Sequence, residues 1–501
     1  MYDFGLLAPE LILMLGALMV FCLDVAFKSE GKSGLSYMAI SVLTLSAALL
    51  AVVLQMDVSP QVAFGMMDVD AFAGFIKLTV FAGMILTAIA GGRYMNRRSK
   101  SQGEFWTFYL FVSLAMSVAV SANNLVLVYI SIEFLSITSY MLAGFLREEK
   151  GSNEAGLKYF LYGSIASAVM LYGISLLYGA TGSLYLRDIA AFFAAEIAAA
   201  GEVTGISYVA IPATILTLAG LGFKASLAPF YQWAPDTYEG APTPVATYLS
   251  TASKAAAFGV LVRVFVVGLA PFEVNWVPIL AGFSIITMTM GNLAALRQTN
   301  VKRMLAYSSV AQAGYVLMGL VAVAADSQSG MNGLNGVLIY LFAYIFTNVG
   351  AFLVVMALEE TVGSTDVSAF NGLIRRAPWL AGMFVIFLLS LTGIPLTGGF
   401  LGKFYVFGAA IQHQYFWLAA VGMINAGIAA FYYLNIVRAM FFTEDAEISE
   451  VSGGAAVLDV PVGTQISLLI CTLATLWIGI YPITVINWVN NASNQLFTLP
   501  F

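Results

Sequence analysis

The stretch Gly220–Gly259, which reads GLGFKASLAPFYQWAPDTYEGAPTPVATYLSTASKAAAFG, holds two lysines on either side of a polar segment. Lys224 precedes the segment Trp233–Pro242 by nine residues, and Lys254 follows it by twelve. If that segment is a turn at a membrane surface, the helical rise puts both ammonium groups roughly 14–18 Å deep in a hydrocarbon core about 30 Å thick. The two lysines would then face each other on neighbouring antiparallel helices.

Lys224 also lies close to a predicted helix break. Pro229, five residues further on, lacks a backbone N–H, and its ring crowds the preceding turn. A charged lysine inside a membrane is costly unless it faces protein or water, so its presence indicates function by default. A broken helix beside a buried lysine suggests an ion path.

The composition is that of an integral membrane protein. Of the 501 residues, 60% are hydrophobic and 10% are charged, whereas roughly 25% of the residues of a soluble domain are charged. Short polar loops separate apolar runs that are long enough to span a bilayer. We predict an all-α polytopic protein of about fourteen transmembrane helices, with approximate cores at 7–27, 35–55, 71–92, 105–121, 124–146, 156–180, 207–231, 243–269, 276–296, 304–324, 333–358, 379–408, 414–442 and 463–488.

Charged residues divide the predicted loops into two sets, one at each end of the bundle. The loops of the basic side carry Lys28, Lys32, Arg93, Arg97, Arg98, Lys100, Arg147, Lys150, Arg297, Lys302, Arg303, Arg375 and Arg376. The loops of the acidic side carry Asp57, Asp68, Asp70, Asp188, Glu202, Glu273 and Asp326. By the positive-inside rule the basic side is cytoplasmic, which places both termini outside.

Seven basic residues remain inside the predicted helices. Lys77, Arg263 and Arg438 lie near helix ends, where snorkelling or local pairing explains them. Lys158 lies early in the sixth helix, where it is either a surface anchor or a functional group. Snorkelling from the deeper positions would need a long reach, so we interpret the remaining three as functional: Lys224, Lys254 and Lys403.

Glu133 is the carboxylate that we expect well inside a helix, roughly 20 Å from the basic surface and close to the depth of the lysines. One interpretation is a structural ion pair that holds helices together. The other is a proton-binding couple with Lys224. Burial favours the neutral form of each group and mutual attraction favours the charged forms, so joining or separating the pair would switch lysine protonation.

A second broken helix is predicted in the segment Trp379–Ala410, which contains LLSLTGIPLTGGFLGKFYVFG. Pro395 and its neighbouring glycines interrupt this helix just before Lys403. The chain thus has two proline-interrupted helices that each bear one buried lysine. Discontinuous helices at corresponding positions in two halves indicate a transporter with inverted repeats.

The remaining patterns indicate no cofactor or metal site in this chain. Cys22 and Cys471 lie far apart inside apolar runs and match no metal or redox spacing, so we expect both to be small core residues. The sequence has one histidine, no cysteine cluster for iron–sulfur and no basic patch for nucleic acid. The segment 189–201 is too short to span, and we interpret it as a surface helix.

The segments FKASLAPFYQWAPDTYEGAPTPV and TGIPLTGGFLGK, together with Glu133, resemble subunit N of the proton-pumping NADH-quinone oxidoreductases, respiratory complex I. The resemblance covers nearly the whole chain, and the wider family includes the large subunits of multi-subunit sodium/proton antiporters. It implies fourteen helices, with helices 4–8 and 9–13 as inverted five-helix repeats and with helices 7 and 12 broken. The implied regions are 1–103, 104–270 for the first repeat, 271–445 for the second, and 446–501 for the last helix.

The resemblance also implies a role for each candidate residue. Glu133, Lys224, Lys254 and Lys403 match the family's charged residues of helices five, seven, eight and twelve, and Lys158 matches an additional lysine of subunit N. A hydrophilic axis of these residues would carry protons, coupled to quinone reduction elsewhere in the complex. NADH, flavin, iron–sulfur clusters and quinone would bind to other subunits. The implied partners are the other membrane-arm subunits and the bilayer of a bacterial inner membrane, with both termini periplasmic.

Two departures from the larger family members favour subunit N. Those members usually carry a histidine near the helix-eight position and a long lateral C-terminal helix, and we expect neither here. The connection from Lys254 to Lys403 is thereby left to water and hydroxyls, for which Tyr307, Ser308 and Ser309 are candidates, although helix packing also explains these side chains. The alternatives are a subunit of a multi-subunit cation/proton antiporter and a structural membrane spacer whose charges merely pair.

Overall fold

The computed structural model describes residues 4–27, 34–56, 59–200, 203, 205–323, 331–443 and 458–498. Five of the charged loop residues named above, Lys28, Lys32, Asp57, Glu202 and Asp326, lie outside these ranges. The described chain is helical except for short connections and one antiparallel hairpin, β1 (Gln61–Ala63) with β2 (Met67–Val69), in which Val62 pairs with Asp68.

The helices of the first half are α1 (Ala8–Phe27), α2 (Gly34–Gln55), α3 (Ala71–Arg98), α4 (Gln102–Ser121), α5 (Leu125–Ala143), α6 (Lys150–Thr181), α7 (Leu186–Ala200), α8 (Ala210–Ala225), α9 (Trp233–Gly240), α10 (Thr243–Ser250) and α11 (Ala252–Val262). The others are α12 (Glu273–Ala295), α13 (Val301–Val321), α14 (Gly333–Val362), α15 (Leu373–Arg376), α16 (Pro378–Thr392), α17 (Gly398–Gln412), α18 (Phe416–Phe442), α19 (Val462–Ile480) and α20 (Ile483–Thr498).

The prediction of about fourteen membrane crossings agrees with these helices. Within the described residues, twelve helical spans are long and apolar enough to cross a bilayer. Two further crossings are the broken helices α8–α9 and α16–α17, whose first halves are also apolar. At the centre lies α14, in which every residue from Gly333 to Leu358 is buried. A helix that is apolar all round lies in a protein core or spans a membrane, and α14 does so while surrounded by other helices.

The break in helix seven is confirmed, but the polar turn predicted at Trp233–Pro242 is wrong. The helix α8 ends at Ala225, the backbone turns through Ser226 with φ of +59°, and the chain winds again as α9. Packing on aromatic rings stabilises this short helix: Trp233 stacks on Tyr159, and its indole N–H donates to the carbonyl of Phe223 over 2.9 Å.

The second predicted break is also confirmed. The helix α16 ends at Thr392, and Gly393 takes a φ of +95°, which glycine adopts without the steric cost that a Cβ would impose. The chain then winds again as α17, where the Thr397 side chain caps the helix by accepting from the backbone N–H of Phe400.

Helix eight, which we predicted as one span over 243–269, contains an interruption that the sequence did not reveal. It divides at Thr251 into α10 and α11, and a π-helical turn, Arg263–Gly268, follows. No proline or glycine marks Thr251, so this break carries no local signal. The hydroxyl of Thr251 donates to the carbonyl of Thr247 over 2.6 Å.

The predicted extent of the last helix, 463–488, is also wrong. It consists of α19 and a second helix, α20, which are separated at Tyr481 and Pro482. Proline disfavours helical backbone in the residue before it, which explains the stop. The helix α20 runs on to Thr498 and packs against α3 and α14.

Two smaller predictions have mixed outcomes. The surface segment at 189–201 is confirmed as a helix, α7. Of the two cysteines, Cys471 is buried as expected, whereas Cys22 is exposed on the outer face of α1. A membrane-spanning helix can be apolar on the face that contacts lipid as well as on the face that contacts protein. The apolar neighbours of Cys22 in the sequence therefore did not show which of these faces it occupies.

Candidate functional site

Ion pairs lie at both ends of the helical bundle, on the basic side and on the acidic side. On the basic side, Arg98 lies 3.2 Å from Glu359 and 3.6 Å from Glu149. On the acidic side, the fully buried guanidinium of Arg263 lies 2.8 Å from Asp68 and 3.0 Å from Asp70. Arg263 is therefore explained by local pairing, one of the two interpretations given from sequence.

Lys224 is buried near the end of α8, two residues before the turn at Ser226. Its Nζ donates to the hydroxyl of Tyr159 over 2.9 Å and to that of Ser136 over 3.2 Å. It also lies 5.3 Å from the centre of the Tyr159 ring. The break thus places the ammonium group among neutral hydroxyls and an aromatic face.

Glu133 does not pair directly with Lys224, contrary to the couple that we predicted. It is half-buried on α5, and Lys224 makes no ion pair within 4.0 Å among the described residues. Ser136, three residues further along α5, provides the oxygen that contacts the ammonium instead. The Glu133 carboxylate thus lies about one helical turn along α5 from the hydroxyl that contacts Lys224.

Lys254 lies in the first turn of α11, immediately after the interruption at Thr251. It is buried, and its Nζ donates to the backbone carbonyl of Ser309 over 2.6 Å and to the Ser309 hydroxyl over 2.8 Å. Both acceptors belong to α13. The contact therefore joins α11 to α13.

Lys403 is held by the second helix break. Its Nζ donates to the carbonyls of Leu391 and Thr392, each over 2.9 Å, and lies 4.8 Å from the centre of the Tyr315 ring. These carbonyls end α16, where no further turn provides backbone N–H groups to donate to them. The lysine thus satisfies backbone groups that the break leaves without helical partners.

A chain of hydroxyl and amide groups lies between Lys254 and Lys403. Beside Ser309, the hydroxyl of Ser308 hydrogen-bonds to that of Tyr433. The amide of Gln312 donates to Tyr433 over 3.2 Å and to the carbonyl of Leu391 over 3.0 Å, the same carbonyl that Lys403 contacts. The hydroxyl of Tyr340 donates to the Gln312 amide oxygen.

A small cavity adjoins this chain. Its volume of about 10 Å³ is close to what one water needs. Its lining comprises Gln312, Tyr340, Tyr344, Thr347, Ser390, Leu391 and Gly399. Of the three hydroxyls proposed from sequence, Ser308 and Ser309 belong to the chain, whereas Tyr307 instead packs edge-on against Tyr231. Gln312, Tyr340 and Tyr433 were missed, because nothing in their local sequence separates them from ordinary core residues.

Lys158 lies apart from the other three lysines. Its side chain is 38% exposed and makes ion pairs with Glu154 over 2.6 Å and with Asp236 of α9 over 2.7 Å. Asp236 in turn lies 2.7 Å from the guanidinium of Arg303. Lys158 is thus one end of an ionised surface bridge.

A further buried pair escaped the sequence analysis, which named Glu133 as the carboxylate inside a helix. Glu10 of α1 is also buried and lies 2.6 Å from the Nζ of Lys77 on α3. The hydroxyl of Ser117 donates to the same carboxylate oxygen over 2.6 Å. Lys77 is therefore paired locally. In the described part of the chain, no three His, Cys, Asp or Glu side chains cluster closely enough to hold a metal ion.

Comparisons of sequence and structure with known proteins agree with a helical membrane protein that has broken helices and buried lysines. The sequence model of the family described as NADH:quinone oxidoreductase/Mrp antiporter, TM, matches residues 122–429. NADH-quinone oxidoreductase subunit N of Moorella thermoacetica is 36% identical over 99% of this chain and 100% of its own length. This chain belongs to the NADH-quinone oxidoreductase subunit N family. Another member, subunit N 1 of Solibacter usitatus, is 38% identical over 97% of the chain and 96% of its own length.

Solved structures place the same fold in larger membrane assemblies. A chain of respiratory complex I from Thermus thermophilus is 30% identical and superposes with a TM-score of 0.78 over 96% of this chain and 98% of its own length. A chain of the Mrp complex from Dietzia sp. has a TM-score of 0.82 at 18% identity, over 98% of this chain and 97% of its own length. The second match concerns the fold alone. The subunit N family thus has the antiporter-like architecture that both assemblies contain.

Proposed function

We propose that this chain is a membrane-arm subunit of a proton-pumping NADH:quinone oxidoreductase and that its buried lysines carry the protons. The observation that supports this most strongly is the set of partners of Lys224, Lys254 and Lys403. All three are buried, and within the described residues none has a carboxylate within 4.0 Å. A buried ammonium that is surrounded by neutral oxygens readily gives up its proton and can take it back.

The order of the groups suggests a route. Lys158 and Lys224 lie in helices six and seven, Lys254 lies at the contact between repeats, and Lys403 lies beyond the chain of Ser308, Tyr433 and Gln312. Protons would be taken up from the basic side in the first repeat and released on the acidic side from the second. Water bound at the buried polar groups of the axis would complete the transfers between lysines.

Electron transfer would take place in other subunits, which would bind NADH, flavin, iron–sulfur clusters and quinone. Quinone reduction there would shift charge along the membrane arm. Glu133 is the residue of this chain through which such a shift would act, because it lies about one helical turn from Ser136, whose hydroxyl contacts Lys224. The coupling is then electrostatic, which suits two side chains held on separate helices.

The proposed organisation has four regions, 1–103, 104–270, 271–445 and 446–501, with helices 4–8 and 9–13 as the inverted repeats. The two broken helices support it, although their lysines differ in position: Lys224 precedes its break and Lys403 follows its own. The basic side would face the cytoplasm of a bacterium, with both termini in the periplasm.

Replacement of Lys224 by alanine tests the function. In membranes that contain the assembled complex, Lys224→Ala should lower NADH-driven quinone reduction and proton pumping by roughly tenfold or more, as removal of a proton-transfer group does. Lys150→Ala is the matched control, because Lys150 is exposed at the start of α6, and it should leave both rates unchanged. Wild-type rates for Lys224→Ala in an assembled complex would refute the proposal and leave the lysine with a structural role.

A cation/proton antiporter subunit is the second candidate, favoured by the fold that the chain shares with the Mrp complex chain. Affinity purification in mild detergent discriminates between them. Co-purification of NADH-quinone reductase activity with a tagged chain supports the first function. Co-purification of other membrane subunits alone, with sodium-dependent proton exchange in vesicles, supports the second.

A further inference from the structure

Asp236 on the short helix α9 bridges two cations from different parts of the fold. Its Oδ2 lies 2.7 Å from the Nζ of Lys158 on α6, and its Oδ1 lies 2.7 Å from Nη1 of Arg303 on α13. The helix α6 belongs to the first proposed repeat and α13 to the second. One carboxylate on the basic side thus joins both halves of the protein through the segment that follows the first helix break.

Each cation also has a second carboxylate, and of these only Glu239 connects different helices, because it pairs with Arg303 from α9 whereas Glu154 lies on α6 with Lys158. Glu154 lies 2.6 Å from Lys158 on the same helix, and Glu239 lies 2.7 Å from Arg303. Arg303 additionally lies 5.9 Å from the centre of the Tyr307 ring. Removal of Glu154 would therefore leave the contact between α6 and α9 in place, whereas removal of the Asp236 charge would break it.

The same two helices make a second contact directly below the ion pair. Tyr159 follows Lys158 on α6, and Trp233 precedes Asp236 by three residues on α9, about one helical turn. The rings of Tyr159 and Trp233 stack with centres 4.1 Å apart and planes 7° from parallel. The hydroxyl of Tyr159 accepts from the Nζ of Lys224 over 2.9 Å.

We propose that Asp236 is a positioning residue for Lys224: the bridge Lys158–Asp236–Arg303 holds α9 against α6, and the stacked Tyr159–Trp233 pair transmits that spacing to the lysine's hydroxyl partner. The inference rests on the proposed proton-carrying role of Lys224. In this arrangement Lys158 acts on the axis through Asp236 and Tyr159. Loss of the Lys158–Asp236 pair would release α9 from α6, although Glu239 still holds it to Arg303, and would misplace the Tyr159 hydroxyl.

The bridge is suited to positioning more than to stability. Lys158, Asp236 and Arg303 are each about one-third exposed, and partly exposed ion pairs contribute little to folding. Tyr159 and Trp233, in contrast, are buried, so a small displacement of α9 would shift closely packed side chains inside the protein. Neutralisation of Asp236 should therefore leave a folded, assembled subunit whose Lys224 is badly placed.

The test compares Asp236→Asn with Glu154→Gln, a matched neutralisation of the other Lys158 partner, in the purified complex. Hydrogen exchange of the peptide 233–240 reports the bridge directly, and NADH-driven quinone reduction reports its effect. Asp236→Asn should accelerate exchange and lower the rate by roughly tenfold, as small misplacements of reacting groups do. Glu154→Gln should change neither quantity, and Asp236→Glu should restore the rate at least in part.

Wild-type exchange and rate in Asp236→Asn would overturn the inference, as would an equal loss in Glu154→Gln. If Asp236→Asn fails to assemble, Lys158→Met breaks the same bridge from α6 and should give the same two changes; wild-type values there would also overturn it. Lys224→Ala separates the two claims. An active Lys224→Ala complex refutes the proton-carrying function itself, whereas an inactive one beside a wild-type Asp236→Asn complex refutes only the bridge.

Discussion

The buried lysines donate to uncharged oxygens, and for Lys403 these oxygens lie where a helix stops. Lys403 donates to the last two carbonyls of the α16 helix end, and Lys254 follows an interruption in its own helix by three residues. Carbonyls at a helix end have no partner within their own helix, so those of Leu391 and Thr392 can hold the Lys403 ammonium. The break between α16 and α17 thus supplies uncharged acceptors that hold this lysine without a carboxylate, and its proton remains exchangeable.

Arg263 represents the opposite case at the residue scale, a buried cation fixed by two carboxylates. Arg263→Gln should destabilise the subunit by about 3–5 kcal/mol, because Asp70 is left buried without its cation and Asp68 keeps Arg187, 3.3 Å away, as its remaining cation. The temperature at which the purified complex loses this subunit should fall accordingly.

The control is Arg93→Gln, which breaks an ion pair to Asp459 whose side chains are 35% and 79% exposed. Such surface pairs contribute about 0–1 kcal/mol, so the dissociation temperature should hardly change. Equal shifts in the two variants would contradict the distinction between the buried cluster and the surface pair.

At the scale of the element, the spacing of α16 and α17 depends on Gly399. The backbone N–H of Gly399 donates to the Ser390 hydroxyl over 3.0 Å, and a Cβ added there would press on the Ser390 carbonyl oxygen. Because that oxygen belongs to the backbone, it cannot rotate away. The two half-helices would have to separate, and Lys403 would move from the carbonyls that it contacts.

Gly399→Ala should therefore lower proton pumping by roughly tenfold or more, since displacement of a transfer group by about 1 Å has effects of that size. Gly382→Ala is the control, because an added Cβ on this α16 residue meets no atom within 4 Å and alanine favours the helix. Normal pumping by assembled Gly399→Ala, or an equal loss in Gly382→Ala, would contradict a requirement for close packing at the break.

At the scale of the whole molecule, the distribution of charge predicts its orientation. In a variant whose two cysteines are replaced by alanine, Lys150→Cys lies at the exposed start of α6 on the basic side, and Glu196→Cys lies on the exposed surface helix α7. A membrane-impermeant thiol reagent should label Glu196→Cys in cells with a permeable outer membrane, and Lys150→Cys only after the inner membrane is opened. The reverse pattern would invert the proposed orientation.

The sequence alone determined the features that depend on local composition. Apolar runs of sufficient length predicted the membrane crossings, and Pro229 and the segment around Pro395 predicted two breaks, because the bilayer and the proline ring act on a few neighbouring residues. The positions of Lys224, Lys254 and Lys403 inside apolar runs likewise predicted that these lysines are buried, as they are.

Only the tertiary structure decided which groups meet. The break at Thr251, the helical form of Trp233–Gly240, the separation of Glu133 from Lys224, and the Asp236 bridge all depend on contacts between segments far apart in sequence. Residues with hydroxyl groups, such as Ser308 and Tyr433, look the same in the sequence whether their side chains pack between helices or line the hydrophilic axis. Their role depends on the neighbouring helix that they face, and a single sequence does not encode that neighbour locally.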